Sequence, residues 1–151
     1  MITIPEIDFF LDSSALMSGM ISATGAARAL LLLSEDGKLN LIVSEQVIAE
    51  IERNLARKAP KVLPYARDMI RQARIRILPD PSPQAIEPCR DWIAHAADLP
   101  ILVAAAEARV DFLVTLNRRH FTDDAGVAQK SGLHIGTPGD ALSWWKTRFT
   151  P

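Results

Sequence analysis

Three carboxylates stand in settings from which they could share one ion. Asp12 ends the apolar run FFLD, Glu50 lies inside SEQVIAEIERNL, and Asp98 heads DLPILVAAAEA. Singly, each has an ordinary explanation. Asp98 reads as the N-cap of a helix with proline in its first turn, and Glu50 as a solvated helix residue. Taken together they point further, because close carboxylates repel and raise one another's pKa unless a cation lies between them. Oxygen-only donors suit hard divalent ions such as Mg2+ or Mn2+. The chemistry such a site serves is phosphodiester hydrolysis, in which metal activates water and stabilises the leaving oxygen.

A second stretch, FLVTLNRRHF (residues 112–121), is an apolar run that stops at Thr115, Asn117, Arg118 and Arg119. Asn117 can neither take up a proton nor carry a charge. Its amide oxygen can ligate Mg2+, but more weakly than a carboxylate. Asp123 or Asp124 could lean back to supply the missing charge, although a surface turn is the better reading of both. Arg118 and Arg119 sit where they could hold a scissile strand. His95, His120 and His134 lack the paired spacing of a metal site, and His120 reads as a polar rim residue. Cys89 has no histidine or acidic cluster near it in sequence and reads as packing.

The elements that must position these groups follow from periodicity and punctuation. Ile7–Leu11, Leu39–Val43, Arg74–Leu78 and Phe112–Leu116 have the length and composition of strands, with a short fifth at Leu133–Ile135. Thr24 can cap a helix through Leu33 that stops at Gly37, and Ser44 can cap one through about Arg57. Pro60 opens a helical stretch to about Ala73, with Pro64 in its first turn or dividing it. PDPSPQAIEP reads as loop. Helices are predicted over Glu87–His95, Asp98–Arg109 and Pro138–Arg148. Alternating strands and helices predict a parallel sheet of four to five strands covered on both faces, in one domain spanning residues 1–151. In such sheets ligands collect at the carboxyl ends of strands where strand order reverses. That rule selects Asp12-Ser13-Ser14 and Thr115-Leu116-Asn117.

FLDSSAL, SEQVIAEIERNL, DLPILVAAAEARVDFLVTLN and IGTPGDAL resemble the PIN domain in sequence and order, over about residues 8–142. The nearest branch is the bacterial one of toxin components. The resemblance implies an α/β/α sandwich and a Mg2+- or Mn2+-dependent ribonuclease, commonly the toxin of a type II toxin–antitoxin pair and commonly a homodimer. It makes Asp12, Glu50 and Asp98 the catalytic acids and metal ligands, with Ser14 the nearby hydroxyl and Thr115 and Asp124 supporting. Asn117 occupies a position where the family often has a further aspartate. That departure opens an alternative: a PIN fold that binds RNA or protein without cleaving.

Bulk composition sets few limits. The 151 residues carry a formal charge of −1 and 48% apolar residues, a globular domain with no global bias toward nucleic acid or membrane. The first residues lack the basic start and cleavage site of a secretory signal, no apolar run could span a bilayer, and a lone cysteine excludes an internal disulfide. A cytoplasmic location is the expectation. Charge is nonetheless uneven: Arg53–Arg76 holds eight basic residues against one acid, Asp68. Arg67, Arg71 and Arg74 are spaced for one helical face, where they read equally as a solvated surface or as phosphate contacts. The adjacent Trp144 and Trp145 diverge on the last helix, one toward the core and one toward an interface. Two other strand-end aspartate chemistries fit worse. An aspartyl phosphatase wants an acid at position 14, which is serine, and a receiver domain wants an aspartate ending the third strand, where only Asp80 beyond a proline is found.

Overall fold

The computed structural model describes residues 6–149; the first five residues, which entered the search for a secretory signal, lie outside that range. The run DFFL forms strand β1 (Asp8–Leu11), and Phe9, Phe10 and Leu11 are buried. Burial of consecutive side chains is what a parallel strand covered on both faces demands. β1 pairs in parallel with β2 (Asn40–Ser44) on one side and β4 (Phe112–Val114) on the other. β3 (Arg76–Leu78) and β5 (Ile135–Gly136) complete a parallel sheet in the order β3-β2-β1-β4-β5. Strand order reverses between β1 and β4, so the ligand-collecting edge predicted from the sequence lies at Leu11–Asp12 and Val114–Thr115.

Packing contacts sort the helices into two layers. One holds α1 (Ser13–Ile21), α2 (Ala26–Glu35), α3 (Glu45–Lys58), α4 (Leu63–Gln72) and α9 (Pro138–Phe149). The other holds α5 (Pro83–Ile86), α6 (Leu99–Glu107), α7 (Arg118–Phe121) and α8 (Ala125–Ser131). The fold is the α/β sandwich expected. Phe9 anchors its centre, packing against Phe112 and Trp144 with ring centroids 5.7 and 5.8 Å away. Among the described residues no single helix is long and apolar enough to cross a membrane.

Several local expectations are corrected. No helix covers Glu87–His95: a 3-10 turn at Glu87–Cys89 gives way to turns, because the N–H groups of Arg90 and Trp92 reach back only three residues. Thr24 does not cap α2, whose N-cap is Gly25 in a positive-φ conformation without a side-chain bond. Helix α1, unforeseen, starts directly after β1 with Asp12 as its cap. Ser44 does cap α3, its Oγ accepting from Val47 N–H, and Pro64 does lie in the first turn of α4. Arg74 is not on the face of Arg67 and Arg71: α4 has ended, and Arg74 takes a left-handed φ of 55° in the turn to β3. Nor does either tryptophan stand exposed. Trp144 packs on Phe9 and Phe112, and half-buried Trp145 donates its indole N–H to the Lys38 carbonyl at 3.2 Å.

Candidate active site

Among the described residues Asp12 is the only charged one with a buried side chain, at 4% exposure. Its Oδ1 accepts from Ser14 Oγ at 2.7 Å and from Ala15 N–H at 2.9 Å, and its Oδ2 accepts from Thr115 Oγ1. Ser14 Oγ in turn accepts from Leu116 N–H at 3.0 Å, and Thr115 Oγ1 from Asn117 N–H at 2.9 Å. The two hydroxyls therefore tie the end of β1 to the end of β4 across the switch point. Burial pushes the Asp12 carboxyl above the usual carboxylate range; the bonds from Ser14, Thr115 and Ala15 oppose that shift, and the negative charge of Asp98 adds to it.

Glu50 is placed by α3, which points it toward the start of α1. Its Oε2 accepts from Ser13 Oγ at 2.7 Å and its Oε1 from Gln46 Nε2 at 2.8 Å. Gln46 Nε2 also donates to the Ala97 carbonyl at 3.0 Å, the residue before Asp98. The donors to Asp12 and Glu50 are thus neutral hydroxyls, an amide and a backbone N–H. They orient the carboxylates and leave their charge uncompensated, which suits a cation.

Asp98 precedes α6 but its side chain makes no cap bond. Its Oδ2 instead stands 2.7 Å from His120 Nδ1 and 3.2 Å from His95 Nδ1. The two imidazoles stack with centroids 4.0 Å apart and planes 16° from parallel. Asn117 faces the same ring. Its Oδ1 accepts from His120 N–H at 3.2 Å, capping α7, and its Nδ2 lies 2.8 Å from His120 Nδ1. A circuit of contacts thus runs from Asp12 through Ser13, Glu50, Gln46 and Ala97 to Asp98, and back through His120, Asn117 and Thr115.

Other sequence candidates lie outside this circuit. Asp124 caps α8, accepting from Gly126 N–H at 2.9 Å. Arg67 stands 3.7 Å from Glu52, and Arg71 stands 2.7 Å from Asp68. They rim an apolar groove between α3, α4 and β3, lined by Ile48, Leu63, Ile70, Ile75 and Ile77. Arg118 and Arg119 are exposed on α7, directly after Asn117. Ser13, Gln46, His95 and His120 were not singled out as partners of the acids in the sequence. Their signal is tertiary, apart from the i, i+4 spacing of Gln46 and Glu50, which places both on one helix face.

The PIN domain sequence pattern matches residues 8–119. The chain belongs to the PIN domain family. Comparison with curated proteins finds no sequence match. Among solved structures the PIN fold recurs in VapBC2 from Rickettsia felis, bound to a DNA fragment from its promoter, with a TM-score of 0.61 at 17% identity over 87% of this chain and 98% of that one. PAE2754 from Pyrobaculum aerophilum gives 0.61 at 17% identity, covering 93% and 96%. FitAcB from Neisseria gonorrhoeae gives 0.57 at 21% identity, covering 87% and 98%. At these identities the likeness is one of fold.

Proposed function

We propose that this PIN-domain protein is a divalent-metal-dependent endoribonuclease, with Asp12, Glu50 and Asp98 as the acids that hold Mg2+ or Mn2+. The observation that carries this reading is Asp12: a buried carboxylate, opposed in its ionisation by burial and by Asp98, and oriented by neutral donors alone. Such a group is stabilised as an anion by a cation beside it. The donor set of three carboxylates, with the Asn117 amide oxygen beyond them, fits a hard ion that keeps part of its water. When bound, such an ion lowers the pKa of coordinated water and stabilises the charge on the leaving oxygen.

The protein's own part is positional. Ser14 and Thr115 fix both oxygens of Asp12, while Ser13 and Gln46 fix both oxygens of Glu50. His120 and His95 hold Asp98. Exposed Arg118 and Arg119 lie beside the site, where they serve as contacts for the phosphates flanking the scissile bond. Arg67, Arg71 and Arg74 extend the basic surface, but Arg67 and Arg71 already have acidic partners and contribute less. The biological setting in this reading is the toxin of a type II pair, held in check by an antitoxin protein. The VapBC2 and FitAcB structures are of named two-component assemblies, which supports a protein partner for this chain as well.

One observation favours the second reading, a PIN fold that binds without cleaving: Asn117 is neutral and its oxygen already caps α7. Incubation of the purified protein with a generic single-stranded RNA and Mn2+ separates the two. Cleavage that Asp12→Asn abolishes supports the nuclease; RNA binding without cleavage at any Mn2+ concentration supports the binding module.

A further inference from the structure

We propose that His95, Asp98 and His120 form a site for a borderline first-row divalent ion of the Zn2+ class, distinct in donor chemistry from the carboxylate pocket of Asp12 and Glu50. It shares Asp98 with the nuclease reading but does not depend on it. Three segments supply the ligands: the loop before α6, the start of α6, and α7. One donor atom from each of His95, Asp98 and His120 lies within 4.8 Å of the other two. Two ligand atoms bound at ~2.1 Å to one ion stand about 3.0 Å apart at an octahedral edge and about 3.4 Å apart at a tetrahedral one. The observed Nδ1–Oδ2 separation of 3.2 Å to His95 falls between these edges, and the 2.7 Å to His120 has to open by a few tenths of an ångström to reach them.

The hydrogen bonding around His120 points the same way. Nδ1 has a single in-plane position, yet an acceptor, Asp98 Oδ2, stands 2.7 Å away and a donor, Asn117 Nδ2, 2.8 Å away. No tautomer satisfies both, and Asn117 cannot exchange its amide ends without surrendering the cap bond from His120 N–H. A cation bound at one side to both Nδ1 and Oδ2 gives the carboxylate a positive partner in place of the shared proton, with Asn117 Nδ2 turned to another acceptor. The stacked imidazoles bring two nitrogen lone pairs to one side of one carboxylate. Imidazole nitrogen favours Zn2+, Co2+ and Ni2+ over Mg2+. Three protein ligands leave further positions to water, and the half-exposed His95 side chain can close on the ion from the solvent side.

The test uses Co2+ on chelator-stripped full-length protein, followed by visible absorption and by the paramagnetic shifts of histidine ring protons. The expected result is an equivalent of Co2+ that shifts the ring signals of His95 and His120, is displaced by Zn2+ and is not displaced by millimolar Mg2+. Loss of groups that merely support a metal ligand weakens binding 10–100-fold, so His120→Ala or His95→Ala should weaken it by at least about tenfold. His120→Gln keeps a polar side chain on α7 and guards against a folding artefact. Asp12→Asn and Glu50→Gln, which remove ligands of the carboxylate pocket, should leave the His95 and His120 ring shifts in place. The proposal is overturned if no Co2+ binds, if the His95→Ala/His120→Ala double variant binds as tightly as wild type, or if Asp12→Asn abolishes the imidazole shifts. RNA cleavage is not a readout, so failure of the nuclease reading would leave these outcomes standing.

Discussion

Asp12 joins two duties in one carboxylate: it caps α1 through Ala15 N–H and lies in the contact circuit that includes Glu50 and Asp98. Because its folded pKa lies above the unfolded value of about 3.9, the folded state binds the proton more tightly. Stability that Asp12 lends is therefore present at low pH and falls as pH rises from about 4 through the folded pKa. Asp12→Asn removes that slope. In chelator the variant should melt higher than wild type at neutral pH, by a few degrees if the gain is about 1 kcal/mol, and the two curves should converge near pH 4. A lower Tm for the variant at neutral pH would show that the bonds to Asp12 outweigh its burial. Asn117→Asp keeps an oxygen for the α7 cap and adds a charge beside His120 and Asp98. A net gain of about 1–2 kcal/mol, after desolvation and repulsion from the other acids, corresponds to roughly tenfold tighter Mn2+ binding, measurable by calorimetry. Asp124→Asn, which touches only the cap of α8, should leave Mn2+ affinity alone. The positions of Asp12, Asp98 and Asn117 stand out in the chain because strand ends and helix starts leave marks there, whereas Glu50, inside α3, is reached through the family resemblance. His95 and His120 do not stand out, since nothing local shows that α6 and α7 bring them to one carboxylate.

At the scale of elements, a buried polar bond joins α2 to the C-cap of α4. Ser34 Oγ donates to the Ala73 carbonyl, where α4 gives way to the turn before β3. Ser34→Ala removes the donor from a buried acceptor and should cost about 1–3 kcal/mol in denaturant unfolding. A change below ~0.5 kcal/mol would mean that water replaces the serine. Strands β1, β2 and β4 were readable from continuous apolar runs, and α3 from its serine cap. Helix α1 was not. Its sequence SSALMSGMI shows little contrast between faces, because apolar Met17 and Ile21 lie outside the buried stripe of Ala15, Leu16, Gly19 and Met20. The helix predicted over Glu87–His95 failed for the converse reason. Pro88 supplies no donor inside the segment, and the N–H groups of Arg90 and Trp92 close three-residue turns in place of a helical ladder.

For the whole molecule, the family resemblance implies a homodimer, and light scattering at high micromolar concentration should give twice the chain mass. Both tryptophans keep part of their surface exposed, and among the described residues Ile21, Leu32, Tyr65, Ile77 and Leu116 are exposed large apolar side chains that could join such a contact. A monomer at that concentration would leave those side chains to a different protein. The sheet order has a consequence in time. β1 is synthesised first, yet it lies at the centre, and its second neighbour β4 comes near the end. Asp12 and the Thr115 hydroxyl that fixes its Oδ2 are separated by 103 residues. At 5–20 residues per second, a ribosome needs about 5–20 s to bridge that interval. Until then the aspartate has neither its strand partner nor its second hydroxyl, so a nascent or prematurely terminated chain carries the acids without the arrangement. The contacts that fix Asp12 close only once strand β4 and Thr115 have been made.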